Sequence, residues 1–322
     1  VFTPKNTNRR AAAYTISTPD YLAYARSLKV SFLKYNPEVD FIICLVGNLE
    51  HIPSGFRNEG AIICLDAMAD PRIEGMKSRY NPFEMSASLK PFYAKYILDT
   101  YSEYHRLIFL DCDLRIYGAL PEISDAAIII TPHRIHKVCQ SPSESLSEWI
   151  VLNRYGVFNT GYFELNRKEE CFKFLSWWQL LTEKRGFNLP EKNLFTEQLW
   201  IDLVPAYFDD YFINKLPGYN VGFWNLIERS ITKPGEQYFV NNAPLVFYHF
   251  SHYRPSIPEM MVCYKHDYFN FNRFPHLKQL YADYLDALAA AGHNEVKDLP
   301  YPFASTMPRS KPSFWRRLIG KG

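Results

Sequence analysis

No run of apolar residues in this 322-residue chain approaches the roughly 18–20 needed to cross a bilayer, so no transmembrane helix is expected. No C-x-x-C pair occurs among the six cysteines: Cys44, Cys64, Cys112, Cys139, Cys171 and Cys263. Four of them lie inside apolar runs, where a reduced thiol packs as a small hydrophobe. That usage excludes a disulfide framework and points to a reducing, cytoplasmic setting. An excess of one charge is also missing. With 36 Lys and Arg against 34 Asp and Glu, the formal net charge is +2, which leaves no footprint for a nucleic-acid partner. Internal repeats, low-complexity tracts and Gly/Ser linkers are absent too, so the chain reads as one continuous globule.

What is abundant is apolar and aromatic. Hydrophobic residues make up 47% of the chain, enough for a full core, and 23 Tyr and 24 Phe stand among them. Large aromatics fill cores, and they also pack against sugar rings; composition leaves both readings open.

The first half alternates strand-like and helix-like segments. Residues 11–17 read as a strand, Thr18–Pro19–Asp20 as a cap-and-proline start, and 21–35 as a helix. The runs 41–46 (FIICLV), 61–65 (AIICL), 106–110 (RLIFL) and 126–131 (AAIIIT) are continuously apolar, as strands buried on both faces are. Residues 84–98 read as a helix interrupted near its start by Pro91. Alternation of this kind predicts an α/β layered domain with a mainly parallel sheet, whose ligands gather at the carboxyl ends of the strands. The second half is less regular, with helices expected over 169–183, 196–203 and 277–291 and a strand over 245–250 (LVFYHF).

The segment RLIFLDCD places Asp111 and Asp113 at the end of an apolar strand. On an extended chain residues i and i+2 project to the same side, so both carboxylates converge. Two hard oxygens at a strand's carboxyl end suit Mg2+ or Mn2+ bridging to a diphosphate. D-x-D also arises by chance, and placement is what favours the metal reading. The strand 245–250 ends near His249, with His252 and Arg254 close behind. A lone histidine on an apolar strand is commonly structural, but beside an acidic pair it completes an O,O,N set that favours Mn2+.

Taken together, LDCD at 110–113, FNTGYFELN at 158–166, TEQLW at 196–200, GYNVGFWN at 218–225 and YHFS at 248–251 resemble the GT-A glycosyltransferases of the glycogenin and galactosyltransferase type, family 8-like. Bacterial polysaccharide enzymes of this type are closer still, through an EMS–LKP–F segment over 84–92. The order agrees from about Ala11 to Pro255, some three-quarters of the chain. The resemblance implies a GT-A fold and transfer of a sugar from a nucleotide diphosphate donor to an acceptor hydroxyl. It further implies a UDP-sugar rather than a GDP-sugar, Mn2+ (or Mg2+) as cofactor, and retention of anomeric configuration.

By the same resemblance Asp111, Asp113 and His249 hold the metal, and Asp111 also lies near the donor. Tyr14 and Thr15 lie by the base and ribose, and Lys90 reaches the diphosphate or donor sugar. Asn159 and Gly161 shape the sugar pocket, the glycine by letting the chain approach closely. Glu197 and Gln198 sit beneath the anomeric carbon, and Arg254 is the nearest match to a diphosphate-binding basic residue. Each has a plainer alternative. Tyr14 can be core, Lys90 an exposed helix start, and Asn159 part of an Asn/Gly turn. Glu197 and Gln198 can be helix N-terminal residues. The chain also departs from its relatives, which commonly carry Gly at the position of His252, Asp at that of Glu197 and Lys-Pro-Trp where Arg254–Pro255 stands. His252 thus competes with His249 as ligand.

The organisation expected is a catalytic domain over 1–275, with a nucleotide-binding part at about 11–132 and an acceptor-side part at about 133–275. A C-terminal helix over 276–302 and a basic tail over 303–322 follow. The tail carries Arg309, Lys311, Arg316, Arg317 and Lys321 without an acid, interleaved with Phe314, Trp315, Leu318 and Ile319. Such a segment suits an anionic membrane surface, which would make the protein peripheral and its acceptor a glycan or lipid-linked. Two rivals stand beside this reading. One is a non-catalytic nucleotide-sugar or glycan-binding module. The other is a nucleotidyltransferase, disfavoured because no Gly-rich basic loop follows the first strand.

Overall fold

Period-two burial builds the central sheet. In β1 (Ala11–Ser17) Ala12, Tyr14 and Ile16 enter one apolar cluster while Ala13 enters another. The same alternation divides Ile42 and Cys44 from Phe41, Ile43 and Leu45 in β2 (Asp40–Leu45). With both faces covered, these strands need no polar face, which is why they read as unbroken apolar runs. β3 (Ala61–Cys64), β4 (Arg106–Leu110), β5 (Leu114–Ile116), β6 (Ile128–Pro132) and β7 (Phe158–Asn166) follow in the chain. Structure is described here for residues 11–136, 150–263 and 268–303 of a computed structural model.

Seven strands form the main sheet in the order Tyr211–Ile213, β6, β7, β4, β1, β2, β3. All neighbours are parallel except β7, which runs antiparallel to both β4 and β6. The expectation of a mainly parallel α/β sheet holds, with one inserted antiparallel strand. FNTGYFELN is therefore strand throughout, not an Asn/Gly turn at Asn159. Phe158, Tyr162, Phe163 and Leu165 are buried, and their packing overrides the local turn preference of Asn159 and Gly161.

One face of the sheet is covered by the helices Arg72–Arg79, Lys90–Thr100 and Glu169–Arg185. Phe92, Tyr93, Ile97 and Leu98 all lie against it, and side chains of this size contribute about 1.5–3 kcal/mol each when fully buried. The helix expected over 84–98 is two helices, Pro82–Ser88 and Lys90–Thr100. Asn81 and Glu84 close a capping box on the first, and Pro91 starts the second because it can offer no N–H to the preceding turn. The helix Leu22–Tyr35 covers the other face.

A smaller sheet joins Val221–Gly222, Phe247–His249 and β5, with His249 opposite Leu114. The C-terminal helix Lys278–Ala290 packs against it, with the Phe250 and Tyr284 rings stacked 3.7 Å apart. No helix among the described residues is long and apolar enough to cross a membrane. Cys44, Cys64, Cys112, Cys171 and Cys263 are free thiols. Cys139 and, beyond Phe303, the basic tail with its membrane expectation lie outside the described residues.

Candidate active site

Leu107 and Phe109 face the cluster beneath the helix Lys90–Thr100, and the chain leaves β4 at Asp111 on that side. The Asp111 amide donates to the Gly161 carbonyl at 2.9 Å, which continues the β4–β7 ladder by one step. The chain then turns, with the Leu114 amide donating to the Asp111 carbonyl at 3.1 Å. Convergence of the two carboxylates is thus the work of a turn rather than of a continued extended strand, as the i, i+2 argument assumed. The ladder also fixes Asp113 beside His249, because the Phe250 amide donates to the Asp113 carbonyl at 2.9 Å.

Lys90, at the proline-set start of its helix, is the hub of the buried charges. Its ammonium lies 2.7 Å from Glu197 Oε1, 3.1 Å from Asp111 Oδ1 and 3.0 Å from the Thr160 carbonyl, over the Phe109 ring. Burial works to lower the Lys90 pKa, but Asp111 and Glu197 outweigh it and hold the ammonium above its ordinary value. One cation cannot serve two carboxylates equally. Burial works to raise Glu197, yet the nearer Lys90 and a 2.6 Å hydrogen bond from Thr160 Oγ1 keep it below the usual carboxylate range. Asp111 is left with burial as the larger influence and rises, with Asp113 repelling it.

Donor atoms of Asp111, Asp113 and His249 all lie within 4.8 Å of one another. His249 Nε2 is 3.0 Å from Asp113 Oδ1. Burial opposes charge on both, but their mutual attraction wins: His249 is raised and Asp113 lowered. The side chains of Asp111 and Asp113 keep 31% and 26% of their surface open, whereas His249 keeps 5%, so the carboxylates form the accessible mouth. Three carboxylates, counting Glu197, stand against one ammonium here, and two hard oxygens with one imidazole are a donor set that Mn2+ accepts. The residues present fit a divalent cation.

A polar chain runs from this cluster into the sheet. His249 Nδ1 is 3.3 Å from Asn220 Oδ1, and Asn220 Nδ2 donates to Asn159 Oδ1 at 2.9 Å. Asn159 Nδ2 lies 3.2 Å from both Gln198 Oε1 and His133 Nε2. Burial pushes the His133 pKa down to about 4, so its ring is neutral and able to accept. Gly161 permits this closeness: a Cβ there would stand 2.4 Å from His249 Cε1.

Lys90, Asp111, Asp113, His249, Asn159, Gly161, Glu197 and Gln198 are therefore brought together. The others are placed differently. Tyr14 is wholly buried, its ring against Phe109 and its hydroxyl donating to the Lys90 carbonyl at 3.0 Å, so its side chain supports Lys90 and offers no face to a base. Thr15 is also wholly buried, and its Oγ1 has no partner among the described residues. Arg254 stands exposed at the rim, near enough to act electrostatically on Tyr21 and His252. His252 is outside the three-residue cluster; its φ of 62° lies in the left-handed region that favours glycine.

Sequence reasoning missed His133, Asn220, Trp224 and Tyr21. His133 follows the carboxyl end of β6, the same signal that singled out Asp111. Asn220 and Trp224 sit inside GYNVGFWN, and the Trp224 ring stands edge-on to His249 at 5.1 Å. Tyr21 is 45% exposed, stacks on Tyr24 at 4.7 Å and feels the charges of Asp113, Asp20 and Arg254.

No family model matches the chain. Two Bacillus subtilis (strain 168) proteins are similar in sequence. Uncharacterized protein YfnF is 23% identical over 221 residues, 66% of this chain and 72% of its own length. Uncharacterized protein YfnD is 23% identical over 244 residues, 74% of each. Among solved structures, the bifunctional glycosyltransferase WbbM superposes with a TM-score of 0.50 at 12% identity, over 89% of this chain and 51% of that one. With its seven-stranded sheet and acidic turn after β4, the chain has the fold of the GT-A glycosyltransferases.

Proposed function

We propose that this protein is a Mn2+-dependent glycosyltransferase that moves a sugar from a nucleotide diphosphate sugar, by preference a UDP-sugar, to an acceptor hydroxyl with retention of anomeric configuration. The observation that carries the reading is the convergence of Asp111, Asp113 and His249 at the carboxyl end of β4, beside the buried Lys90–Glu197 pair. Asp111, Asp113 and His249 would hold the cation, which when bound supplies positive charge against the departing diphosphate.

This chain's own groups do the rest. Lys90 orients Asp111 and adds a fixed positive charge beside it, ready before the substrate arrives. Gln198, its oxygen held by the Thr160 N–H and one amide hydrogen by the Tyr155 carbonyl, has a second amide hydrogen for a sugar hydroxyl. Asn159, its amide engaged by Gly161, Asn220, Gln198 and His133, holds Gln198 in place. Glu197, buried and ionised, stabilises positive charge that develops at the anomeric carbon. The exposed face of Tyr21, rather than Tyr14 or Thr15, suits stacking by the nucleobase, with Arg254 near the phosphates. In the transfer the bond from the anomeric carbon to the phosphate oxygen breaks, a bond to the acceptor oxygen forms, and the acceptor's proton passes to the released diphosphate.

On this reading residues 11–132 serve the nucleotide and 133–275 the acceptor side. The single helix expected over 276–302 is two, Lys278–Ala290 and His293–Val296, parted at Gly292 with its φ of 86°, and these serve as packing elements. The acceptor is a glycan or a lipid-linked glycan of bacterial surface polysaccharide synthesis, reached at the inner face of the membrane through the basic tail 303–322. Liposome co-sedimentation of the full chain against one lacking 309–322 tests that last part; equal binding contradicts it. Turnover across a donor panel with Mn2+ and with EDTA tests the activity.

A further inference from the structure

Gln198 and Asp202 stand four residues apart, at the start and the C-terminal cap of the short helix Gln198–Ile201, so they project from one face of it. That face lies on the backbone leading into β7 and engages it group by group. Gln198 Nε2 donates to the Tyr155 carbonyl at 2.6 Å, and Gln198 Oε1 accepts the Thr160 N–H at 3.0 Å. Between those contacts Asp202 accepts the Val157 N–H on both carboxylate oxygens, at 2.9 and 3.0 Å, and the Phe158 N–H at 3.1 Å. Gly156 lies beneath both side chains with a φ of 107°, a conformation that favours glycine. A Cβ there would stand 3.4 Å from Gln198 Cγ and 3.6 Å from Asp202 Oδ1.

A second route joins the same two residues. The Val157 peptide gives its N–H to Asp202 and accepts the His133 N–H on its carbonyl at 2.9 Å. His133 Nε2 and Gln198 Oε1 in turn share Asn159 Nδ2, at 3.2 Å each. Asp202, Val157, His133, Asn159 and Gln198 thus close a ring of contacts around the start of β7. Hydrogen bonds from backbone N–H to a carboxylate are the stronger kind, and three of these contacts converge on Asp202, which makes it the anchor of the ring.

We infer that Asp202 is a positioning residue for the sugar pocket: by gripping the Val157 and Phe158 amides it sets Gln198 against β7, and with it the amide hydrogen offered to the donor sugar. The inference rests on the transferase reading for what Gln198 recognises, but the seating of Gln198 on Thr160 is a property of the protein alone. A misplacement of about 1 Å in a group that orients substrate can cost about 100-fold in rate.

The test compares the full chain with Asp202→Ala and Asp202→Asn, and thermal melts followed by circular dichroism check that each folds. Asparagine keeps one oxygen for the Val157 and Phe158 amides but sets an NH2 against the Val157 N–H, so its effect is expected to be intermediate. Amide hydrogen exchange followed by NMR needs neither donor nor metal. In Asp202→Ala the Val157 and Phe158 amides exchange faster on any account, because their acceptor is gone. The deciding amide is that of Thr160, whose acceptor is Gln198. Its exchange is expected to quicken by at least about 10-fold relative to amides of β2, which report global opening. With Mn2+ present, UDP affinity read by fluorescence titration is expected to hold. Under the same conditions kcat/KM for the donor that wild type turns over is expected to fall by about 100-fold in Asp202→Ala.

Thr160 exchange at the wild-type rate in both variants overturns the inference, as does a fall in UDP affinity equal to the fall in kcat/KM. Failure of wild type to turn over any donor contradicts the transferase reading instead, and Thr160 exchange still decides whether Asp202 positions Gln198.

Discussion

Lys90 Nζ and Glu197 Oε1 meet at 2.7 Å with 6% and 3% of their side-chain surfaces exposed, a buried ion pair that ties the helix Lys90–Thr100 to the start of Gln198–Ile201. Removing only the lysine leaves Glu197, with 3% of its side chain exposed, without its counter-charge and facing Asp111. Lys90→Met is expected to cost about 3–5 kcal/mol of stability, the usual consequence of stranding a buried charge. Urea denaturation of the metal-free protein measures it. A loss under 1 kcal/mol would mean the pair is solvated in a way the geometry does not show.

Gly161 has no room for a side chain. In Gly161→Ala the new Cβ meets His249 Cε1 at 2.4 Å and Asn159 Oδ1 at 2.8 Å, and neither is the far end of a flexible chain. Overpacking of this kind costs about 1–3 kcal/mol. Displacing His249 should also weaken Mn2+ binding by at least about 10-fold. Calorimetric titration with Mn2+ checks the second effect, and unchanged affinity would place the cation away from His249.

His249 is held above its ordinary pKa by Asp113, and the sign of the consequence is definite. A raised pKa keeps the proton on the imidazole to higher pH, and the cation needs that lone pair. Mn2+ affinity should therefore rise with pH and level off only above the ordinary imidazole value of about 6.5. His133, at about 4, stays neutral throughout and adds no step in this window. A binding curve flat between about pH 6 and 8 would exclude His249 as ligand.

Two tyrosines separate core from site. Tyr21→Ala should weaken UDP binding by about 1–3 kcal/mol, the range for loss of a base–aromatic stack. Tyr14→Phe should leave UDP affinity unchanged and cost about 1 kcal/mol of stability through the lost bond to the Lys90 carbonyl. Fluorescence titration with UDP distinguishes them, and the reverse pattern contradicts the placement of the base.

Legibility in the sequence followed the physics of burial. Strands covered on both faces wrote themselves as FIICLV and RLIFL, so the sheet and the acidic turn after β4 were readable. β7 was not, because Asn159, Thr160 and Gly161 carry turn-forming chemistry and only packing against β4 and β6 makes them strand. Tyr14 misled for a related reason: it ends the first apolar run next to the ligand-binding edge, yet pleating points it into the core under Lys90. Asn220 was beyond reach, since its place depends on side-chain hydrogen bonds to Asn159 and His249, both distant in the chain. Proximity in space, not residue type, gives it meaning.

The most direct test of the central claim is turnover of a panel of nucleotide sugars by wild type, Asp113→Ala and His249→Ala, with Mn2+ and with EDTA. The account predicts that wild type releases nucleoside diphosphate from one donor, by preference a UDP-sugar, only with the metal. Both variants should stay folded and inactive. Turnover that survives EDTA, or full activity in both variants, would contradict it.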